Sequence, residues 1–184
     1  MDKLSFKEFK RLVKTDLRCY MKPFWYCVLM VPGFKYTFNH RLCYYLSKHK
    51  LLFPLYMLQY FRLRHLTFKL GIEVVRDMSL PEAFCIAHFG GITFYPKSCG
   101  KNVLLRPGVV VGTAGSFDYS KNPIIGNNVK FGAHSCVLGG VEIGDNVVIA
   151  ANAVVVKDVP SNCVVAGVPA RIVRYLTENN NQKE

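Results

Sequence analysis

Acidic side chains are scarce in this sequence, and scarcest where lysine and arginine are dense. The 184 residues hold 12 Asp+Glu against 24 Lys+Arg, a formal charge of +12. Residues 1–76 contain 15 basic and 4 acidic side chains, net +11, whereas residues 77–184 contain 9 and 8, net +1. A basic half can attract an anionic membrane surface or an anionic glycan. No nucleic-acid-binding motif accompanies the charge, which argues against nucleic acid as a partner. Long apolar runs are missing too. The longest, Phe24 to Val31, is eight residues and stops at Pro32-Gly33. A membrane span needs roughly 20, so only peripheral contact at the inner face of a membrane is left open. The seven cysteines include no C-x-x-C pair, and Met1 to Thr15 alternates lysines with apolar residues rather than forming a secretory leader. Reduced thiols in a cytoplasmic protein are the expectation. Histidine thins out after residue 70, where only His88 and His134 occur. A three-histidine zinc site therefore cannot be assembled there, and no metal is expected.

What is present divides the chain in two. Residues 1–70 read as an α-helical domain. Leu4, Phe6, Phe9, Leu12 and Val13 give a helical stripe with lysines between them. Pro32-Gly33 marks a break, helical stretches follow over 35–48 and 54–70, and Gly71 is placed to cap the last of them. Arg62, Arg64 and Lys69 sit among Phe53, Leu55, Leu58, Phe61 and Phe68, a mixture that suits an interfacial helix or a packed helical domain. Residues 177–184 form a polar tail, expected to be disordered.

Residues 71–176 have a different rhythm. From Ile125 an apolar residue returns at every sixth position: Phe131, Val137, Ile143, Ile149, Val155. Four places after each lead residue comes another small or apolar one, from Val129 to Val159. Val129 and Phe131, Val141 and Ile143, and Val147 and Ile149 are two apart, so each pair faces one side of a short strand. A period of six fits neither a helix nor a coiled coil. It fits a parallel β-helix, in which three hexads close one triangular coil. Gly126, Gly132 and Gly144 are expected at its tight corners, where positive φ is cheap for glycine. Upstream, Leu80 with Ile86 and Leu105 with Val111 keep the spacing. Between Val111 and Ile125 the register breaks over residues 112–123, which reads as a loop ejected from the coil. The fold class is therefore mainly β, a parallel β-helix behind an N-terminal α-helical domain.

Several segments resemble serine acetyltransferases and their relatives in surface-polysaccharide synthesis. These are Pro32-Gly33-Phe34 with Arg41, Gly71-Ile72-Glu73-Val74, Ile86-Ala87-His88-Phe89-Gly90-Gly91, the run from Gly132 to Gly139, and the closing run from Val165 to Val173. The resemblance implies a left-handed β-helix and an acyltransferase that moves the acetyl group of acetyl-CoA to a hydroxyl. It implies His88 as the general base, with chemistry that suits an imidazole titrating near ~6.5. Glu73, where the serine enzymes usually carry aspartate, would orient that imidazole. Gly112 and Thr113 would flank the thioester, Ala133 and Ala151 would give acetyl-CoA close backbone approach, and Lys157 and Arg171 would meet its phosphates. A homotrimer is implied, with sites between neighbouring prisms.

The departures from that pattern bear on the acceptor. Ala87 replaces the aspartate expected before the histidine, and Lys121-Asn122-Pro123 replaces Arg-His-Pro in the ejected loop. Ala87, Lys121 and Asn122 would line the acceptor. Without a carboxylate at Ala87 the natural partner of an ammonium group is gone, and Lys121 lacks the bidentate fork of arginine. The first expectation is thus a sugar hydroxyl in surface-polysaccharide synthesis. Serine is the alternative acceptor, and a β-helix scaffold without catalysis is the remaining one.

Overall fold

The computed structural model describes residues 4–115 and 118–176; the polar tail lies outside them. Four helices come first: α1 (Phe6–Arg18), α2 (Phe24–Met30), α3 (Pro32–Ser47) and α4 (Phe53–Leu70). Ser5 starts α1, its hydroxyl accepting from the Glu8 amide at 3.1 Å. Of the predicted stripe, Phe9, Leu12 and Val13 are buried and Phe6 is exposed. Pro32 opens α3, where a missing amide costs nothing. Gly71 ends α4 in the left-handed conformation, φ +61°, and its amide returns to the Thr67 carbonyl.

Five coils follow. The first carries β1 (Ile72–Val74) and β2 (Phe84–Ile86), the second β3 (Ile92–Phe94), β4 (Ser98–Cys99) and β5 (Val103–Leu105). The third carries β6 (Val110–Gly112), β7 (Ile124–Ile125) and β8 (Lys130–Phe131); the fourth β9 (Cys136–Leu138), β10 (Glu142–Ile143) and β11 (Val148–Ile149). The fifth has β12 (Val154–Val155) and β13 (Cys163–Ala166), and β14 (Arg171–Tyr175) folds back antiparallel on β13. Strands stack into three faces: sheet A (β1-β3-β6-β9-β12), sheet B (β2-β5-β8-β11-β13-β14) and sheet C (β4-β7-β10). All stacked pairs before β14 are parallel. The hexad leads Ile125, Phe131, Val137, Ile143, Ile149 and Val155 fall on sheets C, B, A, C, B and A in turn, and each is buried. The positions four later, Val129 to Val159, are buried as well.

The corner chemistry differs from expectation. Gly126, Gly132 and Gly144 do not hold positive φ. They are needed because the coils stack too closely for a side chain: a Cβ on Gly126 would come within 2.7 Å of the Gly144 carbonyl carbon, and one on Gly132 would strike the Ala151 backbone. Positive φ falls instead one or two residues before the parallel strands of sheets A and B. On the approach to sheet B it is taken by Asn102, Asn128, Asn146 and Asn162, at +56° to +61°. Asparagine tolerates this region better than other side chains. Their amides form a ladder down the solenoid, each Nδ2 donating to the next Oδ1 at 2.8 or 2.9 Å.

The helical domain seals the first coil. Strand β2 is the edge of sheet B, and its outward amides would otherwise be unpaired. Asp16 Oδ1 accepts from the Phe84 amide at 3.0 Å, and the Tyr20 hydroxyl accepts from the Ile86 amide and donates to its carbonyl. Asp16 is itself held by Arg41, Nε to Oδ2 at 2.6 Å and Nη2 to Oδ1 at 2.8 Å. Arg41 then donates to the Leu80 and Pro81 carbonyls. Both charges are buried, and burial raises the Asp16 carboxyl above its ordinary range against the pull of Arg41. The break expected at Pro32-Gly33 does separate α2 from α3, and Gly33 also serves packing. It lies in the first turn of α3 with the Ile86 carbonyl against it, where a Cβ has no room.

Candidate active site

The chain leaves sheet B at Ile86 and turns into sheet A at Ile92, and His88 is exposed on that bend beside Phe89. The approach is fixed on both sides: Tyr20 clamps Ile86 from the helical domain, and the Ala87 amide donates to the Leu105 carbonyl of the next coil at 3.0 Å. Gly90 and Gly91, at φ +110° and +64°, turn the corner. Gly91 stacks on Gly108, and the His134 ring lies over Gly108 where no Cβ would fit.

The edge between sheets B and A therefore carries His88 in the first coil, Ala133 and His134 further along, and then Ala151. Arg171 joins it at the last coil, because Arg171 pairs with Ala166 at the end of β13. A second line of candidates follows the opposite edge of sheet A. Gly112 ends β6 there, Thr113 follows it, and Lys157 comes just after β12. Lys121 and Asn122 reach the third coil from the ejected loop, where Tyr119–Lys121 forms a 3-10 turn. Lys121 is exposed and lies 3.8 Å from Asp118. Asn122 is only 4% exposed, and its Oδ1 meets no donor among the described residues. A buried amide oxygen without a partner is costly, so a ligand donor or a water is the natural complement.

Glu73 stands between the two edges. It projects outward from the middle of β1, opposite Thr93 of β3. Glu73, Gly112, Thr113 and Asn122 share one open cleft of about 320 Å³ with Tyr95 and Tyr119. On the other side of Glu73 a second cleft, about 280 Å³, runs towards α3 and α4 and contains Tyr36, Arg64, Thr67, Arg76 and Asp77. His88 lines neither. Among the described residues the hydrogen-bond partner of Glu73 is the Tyr95 hydroxyl, which donates to Oε1 at 3.0 Å. Burial, then the Glu73 carboxylate, push the Tyr95 phenol up to about 12. Tyr95 is not conspicuous in the sequence. Its signal was faint: an outward position two residues past Thr93, one strand away from Glu73. Among the described residues no group of three or more His, Cys, Asp or Glu side chains is placed to hold a metal ion.

A prism of short parallel strands, hexad by hexad, with a helical cap on its first coil, defines a left-handed β-helix of hexapeptide coils. Residues 122–157 match the bacterial transferase hexapeptide family (six repeats). The chain is 34% identical over 148 residues to a serine acetyltransferase of Synechococcus elongatus, covering 79% of this chain and 59% of that one. It is 31% identical over 154 residues to a serine acetyltransferase of Helicobacter pylori, covering 81% of this chain and 85% of that one. The structure of serine acetyltransferase from Brucella abortus in complex with coenzyme A superposes with a TM-score of 0.78 at 26% identity, over 94% of this chain and 70% of that one. The chain belongs to the serine acetyltransferase family. It spans about three-fifths of the cyanobacterial relative.

Proposed function

We propose that this protein transfers the acetyl group of acetyl-CoA to a hydroxyl, with serine as the acceptor and His88 as the general base. The observation that carries this is His88 itself: an exposed imidazole on a corner gripped from two sides, in a chain of the serine acetyltransferase family. A serine hydroxyl is barely ionised at neutral pH, so its attack on a thioester needs a base to take the proton. The imidazole takes it as the oxygen bonds to the acetyl carbon, and the coenzyme leaves as its thiol. Glu73 orients the imidazole, Gly112 and Thr113 flank the thioester, Ala133 and Ala151 give it close backbone approach, and Lys157 and Arg171 meet its phosphates. The two edges of sheet A face apart within one prism, which favours a trimer in which a neighbouring prism completes each site.

The expected polysaccharide acceptor finds no support in these relatives, which are named for serine. A sugar hydroxyl stays a second reading on one observation. Ala87 offers no carboxylate to an ammonium group. The exposed Phe53, Leu55, Leu58, Phe61 and Phe68 beside Arg62, Arg64 and Lys69 supply no comparable support for membrane or anionic-glycan contact. No helix among the described residues is long and apolar enough to cross a membrane.

Release of coenzyme A thiol from acetyl-CoA, with serine or a sugar panel as acceptor, tests the reaction and the acceptor together. His88→Ala should lower turnover by ~10²–10⁴-fold, the usual worth of a general base. Its melting temperature should be unchanged, since the side chain is exposed. A folded His88→Ala protein with wild-type turnover would overturn the mechanism. Rates with sugars far above those with serine would overturn the acceptor.

A further inference from the structure

Glu73 is one methylene longer than the aspartate that the resemblance leads one to expect, and a longer side chain has more rotamers to lose before it can hold a partner. The structure shows what restrains it. Tyr95 sits just past β3, two residues beyond Thr93, the register partner of Glu73. That places Tyr95 on the side of Glu73 away from the His88 edge. Its hydroxyl reaches back across the strand and donates to Oε1 at 3.0 Å. Behind it the Tyr95 ring stacks on Tyr119 of the ejected loop, centroids 6.3 Å apart and planes 28° from parallel. The pair forms the common wall of the two clefts, since Glu73 and Tyr95 line both.

We propose that Tyr95 is a positioning residue: it tethers Glu73 through Oε1 from the far side and leaves Oε2 for the His88 imidazole. The inference rests on the base and carboxylate roles given above. A hydrogen bond to a charged carboxylate is among the stronger ones a side chain can make. The phenol, held near 12 by burial and by Glu73, remains a donor across any working pH. Tyr119 contributes only its ring, so the loop that carries Asn122 also backs the tether. Tyr95 shares a cleft with Gly112 and Thr113, but the role proposed for it runs through Glu73 and takes no part in the proton transfer.

That last property makes the test specific. Wild type, Tyr95→Phe, Glu73→Gln and the double variant would be compared by thiol release with acetyl-CoA and serine, each checked for fold by circular dichroism and melting. Tyr95→Phe should lower kcat about tenfold, as loss of one charge-assisted hydrogen bond does. The KM for acetyl-CoA should not move. In the Glu73→Gln background the same change should have no further effect, because the carboxylate oxygen that the tether presents to the imidazole is gone. Full, multiplicative loss in that background would overturn the proposal, as would unchanged or increased turnover in Tyr95→Phe alone. Failure of the underlying mechanism looks different. It would appear as a wild-type rate in His88→Ala, or in Glu73→Gln with Tyr95 intact, whatever the double variant does.

Discussion

The helical half and the coiled half bury their residues by opposite means. In the coils nearly every contact is repeated: Phe131 on Ile149 on Val165 in sheet B, Val111 on Val137 on Val155 in sheet A. In the helical domain the decisive contacts occur once. One ion pair, Asp16–Arg41, ties α1 to α3 and both to the first coil; one hydroxyl, Tyr20, covers one edge residue; one glycine, Gly33, lets α3 touch the Ile86 carbonyl. Repetition spreads stability over many small nearest-neighbour terms, as in other solenoids. Single contacts concentrate it. A substitution in the helical domain should therefore do more damage than a chemically similar one in the coils, and it should do so beside the catalytic corner, because Ile86 lies two residues from His88.

The sharpest break is Arg41→Met. It leaves the Asp16 carboxylate buried with its principal partner gone, and it strips the Leu80 and Pro81 carbonyls of a donor. Removing one member of a buried pair typically costs about 3–5 kcal/mol. Urea denaturation should show a loss in that range. The double variant Asp16→Leu with Arg41→Met should recover part of it, because the uncompensated charge is gone. If Arg41→Met costs no more than a coil substitution, the contrast between the two halves fails.

A second break uses pH. His40 of α3 is fully buried and donates through Nε2 to the Val75 carbonyl at 3.0 Å. Its Nδ1 has no partner among the described residues. Burial depresses the imidazole to about 4, whereas in the unfolded chain it titrates near ~6.5. The folded value is the lower one, so the unfolded state binds the proton first. The stability tied to neutral His40 is complete above the unfolded value, falls as pH drops below it, and levels off once pH is below about 4. Wild type should lose about 2–3 kcal/mol more than His40→Gln between pH 7 and pH 4.5. Parallel pH profiles for the two proteins would show that His40 is not the titrating group.

The same contrast decides what could be read before the structure. The hexads announce themselves because each lead residue meets the same surroundings as the one six places on; all six from Ile125 to Val155 are buried. The sequence pattern was enough for the solenoid and for the ejected loop. It gave the wrong reason for Gly126, Gly132 and Gly144, since a pattern records that a position must be small and not whether the cause is φ or close stacking. It also missed the asparagine ladder, although Asn102, Asn128, Asn146 and Asn162 recur coil by coil, because the hexad pattern is defined by apolar residues. In the helical half the pairing of Asp16 with Arg41 joins positions 25 apart, and the Tyr20 contact with Ile86 joins positions 66 apart. No local period connects them. Tyr95 was hidden for a related reason: its meaning depends on the register of β1 against β3, which the spacing alone did not supply.

The smallest effect is the most exacting check on the repeating half. Asn128, Asn146 and Asn102 each hold φ between +56° and +58°, and each gives or takes a ladder hydrogen bond. Alanine at such a position keeps the strained backbone without the amide, which should cost about 1–2 kcal/mol. Glycine removes the strain and loses only the ladder bonds, which lie at the surface, so Asn128→Gly should cost roughly 0.5–1 kcal/mol. The difference between the two substitutions isolates the backbone term from the hydrogen bonds. If the coils are interchangeable, that difference should be the same at Asn102, Asn128 and Asn146 within about 0.5 kcal/mol, and variants two coils apart should be additive. Equilibrium urea unfolding of the six single variants, with Asn102→Ala combined with Asn146→Ala, measures all of it. Position-dependent differences well beyond that margin would mean that the coils near the helical cap are not equivalent to those beyond it, and that the influence of the cap extends past the first coil it seals.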